Sequence, residues 1–192
     1  MTLRNCSTDI PSVRPGGFVV LDTETTGGGP KARVIEIGMV FLSSRGAIQS
    51  EFSTLVYGNG DSGEWFVKRK HGIRNDDLFD APKFKDLAPA FLDAIEGRTL
   101  FAHNAGFDLT QLNQELARIR RRKIATMGCT LDLGIHLGLG RLSLTKAAEK
   151  FGLSREMPHV ALDDARAAAV LLRRYMRHDP RRFKEYLEAH GL

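Results

Sequence analysis

Two acidic residues separated by a single residue follow an apolar stretch near the start of the chain. Residues 18–21 have the composition of a buried strand and lead directly into Asp22 and Glu24. Side chains alternate along a strand, so the two carboxylates point to the same face. Neighbouring carboxylates repel each other, and a hard divalent metal ion with oxygen ligands relieves that repulsion. The alternative is a strand end that runs into solvent, where acids are common, and this stretch alone leaves both interpretations open.

A third acid lies at the start of a helix. The apolar stretch 99–102 predicts a short buried strand, and Asp108 follows it within the first helical turn. At about 100° per residue, Asp108 lies roughly 60° from the centre of the apolar stripe of that helix. The stripe consists of Leu109, Leu112, Leu116 and Ile119. This phase places the carboxylate on the flank of the buried face, and the alternative is an ordinary first-turn acid favoured by the helix dipole.

Two adjacent acids near the end of the chain are separated by their helical phase. The buried stripe of this helix is predicted to begin at Ala161. Asp164 lies about 60° from Ala161, whereas Asp163 lies about 200° away and should face solvent. Asp164 is therefore the better ligand candidate. His159 precedes the helix in a loop or at its entry, and a lone histidine is more often a surface residue than a catalytic one.

The elements that must position these residues form one α/β unit. Three strands come first, with 34–42 and 47–57 forming a hairpin, and residues 58–85 are predicted to be loop-rich. Helices then alternate with short strands at 99–102 and 125–131, and the chain ends in helices. This order predicts a single domain over 17–192 with a mixed sheet, preceded by a flexible leader at 1–16.

Composition sets broad limits on function. The 192 residues are 42% hydrophobic, which is enough for one sizeable core, and the formal charge of +5 permits a polyanionic partner without requiring one. The sequence shows no transmembrane stretch or signal peptide, so we expect no membrane partner and a cytoplasmic location. Cys6 and Cys129 match no disulfide framework or metal motif and are expected to be inert. The oligomeric state is not indicated.

Taken together, the motifs resemble those of the DnaQ-like 3′–5′ exonucleases of the DEDDh branch. The matching segments are Asp22-Thr23-Glu24-Thr25-Thr26-Gly27, His103-Asn104-Ala105-Gly106-Phe107-Asp108, and His159 with Asp164 five residues later. Residues 34–38 and 71–73 are secondary matches in the expected order. The resemblance covers about residues 17–176 and implies a ribonuclease H-like fold, an α/β architecture with a five-stranded mixed sheet flanked by helices.

The resemblance also implies a set of site residues. Asp22, Glu24, Asp108 and Asp164 would hold two Mg²⁺ or Mn²⁺ ions about 4 Å apart, with His159 as the general base. The expected contacts to the terminal nucleotide are Thr23, Thr25, Thr26, His71, Ile73, Asn104 and Phe107, although core packing is an equal alternative for Phe107. Relatives commonly place a larger residue after the equivalent of Gly27 to wedge against the terminal base, whereas this chain has Gly28-Gly29. The basic patch 68–70 is predicted to contact phosphate instead, or to be a solvated loop.

The sequence therefore predicts a metal-dependent 3′–5′ exonuclease that releases nucleoside 5′-monophosphates from single-stranded or frayed DNA. An exoribonuclease is the alternative within enzymes. The alternative outside free-standing enzymes is a binding or assembly module. It would be either a proofreading subunit attached to a DNA polymerase or a catalytically silent nucleic-acid binder. A catalytically silent protein is disfavoured because no metal ligand of the family is missing.

Overall fold

The computed structural model describes residues 4–152 and 159–192, which form a five-stranded mixed sheet with helices on both faces. The strands are β1 (Phe18–Thr25), β2 (Val34–Leu42), β3 (Ile48–Leu55), β4 (Thr99–Ala102) and β5 (Gly128–Cys129). Their order across the sheet is β3-β2-β1-β4-β5. The first three strands are antiparallel, whereas β4 runs parallel to both β1 and β5. The prediction of a five-stranded mixed sheet flanked by helices is confirmed.

Seven helices complete the described part of the chain. They are α1 (Trp65–His71), α2 (Phe84–Ile95), α3 (Gly106–Arg118), α4 (Thr130–His136), α5 (Leu144–Phe151), α6 (Ala161–His178) and α7 (Pro180–Ala189). Two predictions about these segments were wrong. Residues 58–85 are not only loop, because α1 lies within them, and the strand predicted at 125–131 has only two residues because α4 begins at Thr130.

Alternation along β1 assigns its two faces to different helices. Val19 and Leu21 belong to a core cluster shared with α2 and α3. Phe18 and Val20 belong to a second cluster shared with α6 and α7. Since side chains alternate along a strand, the even-numbered positions that continue from Val20 also lie on the α6 face. Asp22 and Glu24 are the next two even-numbered positions, so the sheet directs both carboxylates towards the first turn of α6.

Close approach of α6 to β2 depends on a glycine. A Cβ added to Gly38 would lie 2.3 Å from the carbonyl carbon of Ala161 and 2.3 Å from the backbone nitrogen of Leu162. Those are backbone atoms of the first turn of α6, which cannot rotate away as a side chain can. Gly38 pairs with Asp22 in the β1–β2 ladder. The absence of a side chain at position 38 therefore allows the start of α6 to lie directly beside Asp22.

The N-terminal segment contacts the domain although it contains no helix or strand. The carbonyl of Asn5 accepts a hydrogen bond from the Leu55 backbone nitrogen at 2.8 Å, and the Ser7 nitrogen donates to the Thr54 hydroxyl at 3.0 Å. The division into a leader at 1–16 and a domain at 17–192 stays a prediction. Within 4–152 and 159–192, none of the helices has both the length and the apolar composition required to cross a membrane.

Candidate active site

Asp22 and Glu24 lie beside strand β2. In the antiparallel register, Asp22 lies opposite Gly38 and Glu24 lies opposite Glu36. Both carboxylates of β1 are half-buried, and Glu36 is buried. The strand end therefore does not run into solvent, and three carboxylates share one face of the sheet under α6.

Helix α6 brings one more carboxylate and a histidine to this face. Asp164 is buried in the first turn of α6, and its Oδ2 accepts a hydrogen bond from the backbone nitrogen of His159 at 3.2 Å. One ligand atom from each of Glu24, His159 and Asp164 lies within 4.8 Å of the others. His159 is exposed, with a positive φ of 65°. The neighbouring Asp163 pairs with Arg166 at 2.9 Å, and its side chain is only 13% exposed, so the prediction that it faces solvent was wrong.

Asp108 reaches the site from the other helix layer. Its carboxylate is buried in the first turn of α3, and its Oδ1 accepts hydrogen bonds from the Thr23 nitrogen at 2.9 Å and the Thr23 hydroxyl at 2.8 Å. The far end of α3 is fixed by Glu115, which pairs with Arg33 at 2.7 Å. These contacts hold the helix against the end of β1, so the orientation of Asp108 is set before any ligand binds.

Mutual repulsion and burial shift the acids of the site. Burial, followed by the charges of Asp108 and Glu24, raises the pKa of Asp22 well above its usual range. Burial and the neighbouring Glu36 raise the pKa of Glu24 to about 8. Burial also raises the pKa of Asp108 to about 7, although the Thr23 hydrogen bonds partly offset it. Raised pKa values of this kind show that the positive charges of the described residues do not balance these carboxylates. Bound divalent cations would supply the missing charge.

Two residues of this cluster, Glu36 and Arg4, were not predicted from the sequence to belong to the site. Glu36 Oε2 accepts a hydrogen bond from the Ala161 nitrogen at 3.2 Å and lies 3.5 Å from an Arg4 guanidinium nitrogen. The other guanidinium nitrogen of Arg4 donates to the carbonyl of His71. A glutamate inside the fully buried strand β2 was a visible signal for the first residue. No local pattern marks Arg4, because its partners are distant in sequence.

A pocket of about 750 Å³ has Glu24 of the carboxylate cluster in its wall. Its wall includes the last residues of β1 and the turn that follows them (residues 23–32), one face of α1, and Phe107. The Phe107 ring is 38% exposed, and its Cε2 would lie 3.8 Å from a Cβ added to Gly28. Phe107 therefore faces the pocket rather than filling the core, and its contact with the terminal nucleotide stays a prediction.

The other predicted substrate contacts are distributed differently. Thr23, Thr25 and Thr26 line the pocket, but the Thr25 hydroxyl donates to the Gly27 carbonyl and the Thr26 hydroxyl accepts from the Arg33 nitrogen. These contacts shape the turn after β1. The role of all three in binding substrate stays a prediction.

His71, Ile73 and Asn104 are outside the wall of this pocket. His71 and Ile73 are buried behind it, and the His71 Nδ1 accepts a hydrogen bond from the Ile73 nitrogen at 2.9 Å. Burial, followed by the Arg4 charge, lowers the pKa of His71 to about 4, so its ring is neutral at neutral pH. Asn104 is exposed with φ 62° just before α3. Their contacts with substrate stay predictions.

The segments that carry the acids of β1, α3 and α6 all lie within a region that matches a known protein family. The model of the RNase_T family, described as exonuclease, matches residues 19–172. The chain belongs to the RNase_T exonuclease family. The predictions of a DnaQ-like DEDDh-type 3′–5′ exonuclease and of a ribonuclease H-like fold are confirmed.

Curated relatives in this exonuclease family are polymerase components. The chain is 34% identical to DNA polymerase III subunit epsilon of Treponema pallidum over 84% of its own length and 77% of that protein. It is 34% identical to the Aquifex aeolicus subunit epsilon, covering 81% of this chain and 78% of that protein. It is also 33% identical to the PolC-type DNA polymerase III of Thermotoga maritima, of which it spans only 13%.

Solved exonuclease structures share the fold. Exonuclease X, solved with 5′ overhanging duplex DNA, is 26% identical with a TM-score of 0.66, covering 85% of this chain and 93% of that chain. The nuclease domain of 3′hExo, a DEDDh family member solved with rAMP, is 21% identical with a TM-score of 0.72, covering 83% and 91%. Exonuclease I of E. coli, solved with zinc and single-stranded DNA, has a TM-score of 0.78 at 16% identity, covering 90% and 43%.

Proposed function

We propose that this exonuclease uses two divalent metal ions to remove nucleoside 5′-monophosphates from the 3′ end of single-stranded or frayed DNA. The observation that carries the proposal is the convergence of four carboxylates from β1, α3 and α6, one of which, Glu24, lines the pocket. Asp22, Glu24, Asp108 and Asp164 are the proposed metal ligands. The raised pKa values of Asp22, Glu24 and Asp108 fit a site that is incomplete without cations.

The donor set suits Mg²⁺ or Mn²⁺. Both ions prefer oxygen ligands, and carboxylates supply them without the thiolates or histidine clusters that favour zinc. When bound, such ions stabilise the negative charge that develops on the attacking and leaving oxygens of phosphodiester hydrolysis. Hydrogen bonds from Thr23 hold Asp108 in place. Asp164 is held by α6, which can approach β2 closely because residue 38 is glycine.

His159 is the proposed general base. Its position beside Glu24 and Asp164 places the imidazole at the edge of the carboxylate cluster, and its exposure leaves it accessible to a water molecule that attacks the scissile phosphate. The hydrogen bond from the His159 backbone nitrogen to the Asp164 carboxylate fixes the position of His159 just before α6. Residues 153–158, which precede His159 in the predicted loop, lie outside the described residues.

Digestion of end-labelled oligonucleotides tests this proposal directly. With Mg²⁺ or Mn²⁺, a 3′-labelled single-stranded DNA should lose its label as mononucleotide in the first step, whereas a 5′-labelled strand should shorten in a ladder. Chelation should stop both reactions. Release of 5′-terminal mononucleotide first, or full activity in chelator, would contradict the proposal.

Replacing His159 with Ala should lower kcat about a hundredfold, the usual scale for losing an acid–base group. The metal ligands remain, so the rise in melting temperature on adding Mn²⁺ should persist. Single-turnover digestion and thermal denaturation measure the two effects. His178→Ala, at the exposed far end of α6, is the matched control and should retain wild-type turnover. Wild-type turnover in His159→Ala would remove the general-base assignment.

The biological role we propose is proofreading in DNA replication, because the curated relatives at 34% identity are DNA polymerase III epsilon subunits. This makes a DNA polymerase subunit the proposed protein partner. An exoribonuclease is the second candidate, since the related fold of 3′hExo was solved with rAMP. Matched DNA and RNA oligonucleotides in the same digestion distinguish these substrates.

A further inference from the structure

Helix α1 presents aromatic and basic side chains to solvent beside the pocket. Trp65 is 70% exposed and Phe66 is 48% exposed, with their ring centroids 6.3 Å apart. The Arg69 guanidinium lies 6.0 Å from the Trp65 ring centroid. Neither aromatic belongs to a core cluster. The fold therefore gives no packing reason for two large apolar side chains to be exposed together.

These side chains form two parallel rows. Phe66 and Lys70 are four residues apart, so they share a face of the helix, and both line the pocket. Trp65 and Arg69 share the adjacent face, which is outside the pocket wall. We call Trp65 and Arg69 the α1 ledge. A chain leaving the pocket across α1 would meet the ledge next.

The cations of α1 are not neutralised equally. Lys68 lies 3.6 Å from Asp61, which is a partly screened surface pair. In the described ranges 4–152 and 159–192, Arg69 and Lys70 have no carboxylate partner within ion-pair distance. Their positive charge is therefore available to a negatively charged ligand.

We propose that the α1 ledge binds the single-stranded nucleic acid immediately upstream of the 3′-terminal nucleotide. Trp65 stacks on an unpaired base, and Arg69 contacts the adjacent phosphate. Exposed aromatics interleaved with cations are the chemistry by which proteins hold single strands without reading their sequence. The inference rests on the proposed nuclease function, because the terminal nucleotide must occupy the neighbouring pocket.

Two observations favour this occupant over an apolar protein surface, and the proposed substrate is consistent with it. The ledge is continuous with the pocket through Phe66 and Lys70. Its charge is complementary to a phosphate backbone. Paired bases cannot offer a free face for stacking, so the ledge also explains a requirement for single-stranded or frayed ends.

Intrinsic fluorescence offers a direct test, because Trp65 is the only tryptophan in the chain. In chelator, where hydrolysis is prevented, a ten-nucleotide single strand should quench the emission of the intact protein in a saturable way. A deoxynucleoside monophosphate, which is too short to cross α1, should leave the emission unchanged. Binding of the ten-mer by anisotropy of a labelled strand, without any change in tryptophan emission, would overturn the proposal.

Substitutions connect the ledge to the reaction. Trp65→Ala should raise KM for a ten-nucleotide substrate about tenfold, within the range for losing one base–aromatic stack, and should leave kcat within twofold. Trp65→Phe should restore most of the lost affinity because it keeps an aromatic face. Arg69→Ala should raise KM and weaken the dependence of KM on salt concentration. Circular dichroism shows whether each variant is folded.

Matched controls separate the ledge from general effects. Phe79→Ala removes another highly exposed aromatic, and Arg181→Ala removes a surface cation of α7 that pairs with Glu185. Neither should alter KM for the ten-mer. An unchanged KM in folded Trp65→Ala would overturn the ledge, whereas absence of metal-dependent hydrolysis of the ten-mer by the wild-type enzyme would overturn the proposed nuclease function itself.

Discussion

Replacing Asp22 with Asn is expected to lower the rate of hydrolysis at least about a thousandfold, which corresponds to about 4 kcal/mol of transition-state stabilisation. Asp22 lies at the centre of the carboxylate cluster, since Asp108, Glu24 and Asp164 all contribute to its raised pKa. Asparagine keeps the shape of the side chain but loses the charge that binds cations. Single-turnover digestion of labelled single-stranded DNA in saturating Mn²⁺ measures the effect.

The same substitution should stabilise the metal-free protein. An acid with a pKa raised by folding destabilises the folded state as pH rises above its unfolded value of about 4, up to its folded value. Glu24 and Asp108, with pKa values of about 8 and about 7, place this loss between about pH 4 and pH 8. In chelator at pH 8, Asp22→Asn should therefore melt at a higher temperature than the wild type, and added Mn²⁺ should raise its melting temperature less.

Asp163→Asn is the matched control for these measurements. Asp163 adjoins Asp164 in sequence, but its carboxylate pairs with Arg166 and is not among the proposed metal ligands. We expect near wild-type activity and an unchanged response to Mn²⁺. If Asp22→Asn hydrolysed DNA at the wild-type rate, the proposed metal site would be wrong.

Replacing Gly38 with Ala should destabilise the protein by about 3 kcal/mol or more, at the upper end of the cost of overpacking. The added methyl group would overlap the backbone of Ala161 and Leu162 at 2.3 Å. Relief requires α6 to move away from β2, which also moves Asp164 away from Asp22. Urea denaturation measures the stability, and kcat of the remaining folded protein should fall as well.

Gly106→Ala provides the control for Gly38→Ala. Gly106 begins α3, and a Cβ added there meets no heavy atom within 4 Å. Alanine is favoured over glycine in a helix, so this variant should be as stable as the wild type or slightly more stable. Equal stability of the two variants would show that α6 is not held at the distance seen in the structure.

The sequence was most informative where periodicity has a direct geometric meaning. Alternation in β1 predicted that Asp22 and Glu24 share a face, and helical phase separated Asp164 from Asp163. Both inferences depend only on local backbone geometry. The structure agrees with the shared face of Asp22 and Glu24 and with the buried position of Asp164, whereas Asp163 pairs with Arg166 and does not face solvent.

Features that depend on distant parts of the chain were not visible in the same way. Arg4 reaches Glu36 and the carbonyl of His71 from an irregular segment, and no repeat or spacing encodes such a contact. Helix α1 was missed because its seven residues bury only His71, so it has no apolar stripe. Its exposed aromatic residues are unusual for a helix of the core, and they are the reason for the proposed ledge.

The dependence of the site on α6 has a consequence for biosynthesis. Asp22 is among the first residues of the domain to be synthesised, whereas Asp164 belongs to a helix from the last third of the sequence that packs on β1 and β2. Chains emerge from the ribosome N-terminus first. An unfinished chain therefore carries three of the proposed ligands but neither the fourth nor His159. We therefore expect a chain that lacks α6 to show no metal-dependent hydrolysis of nucleic acid.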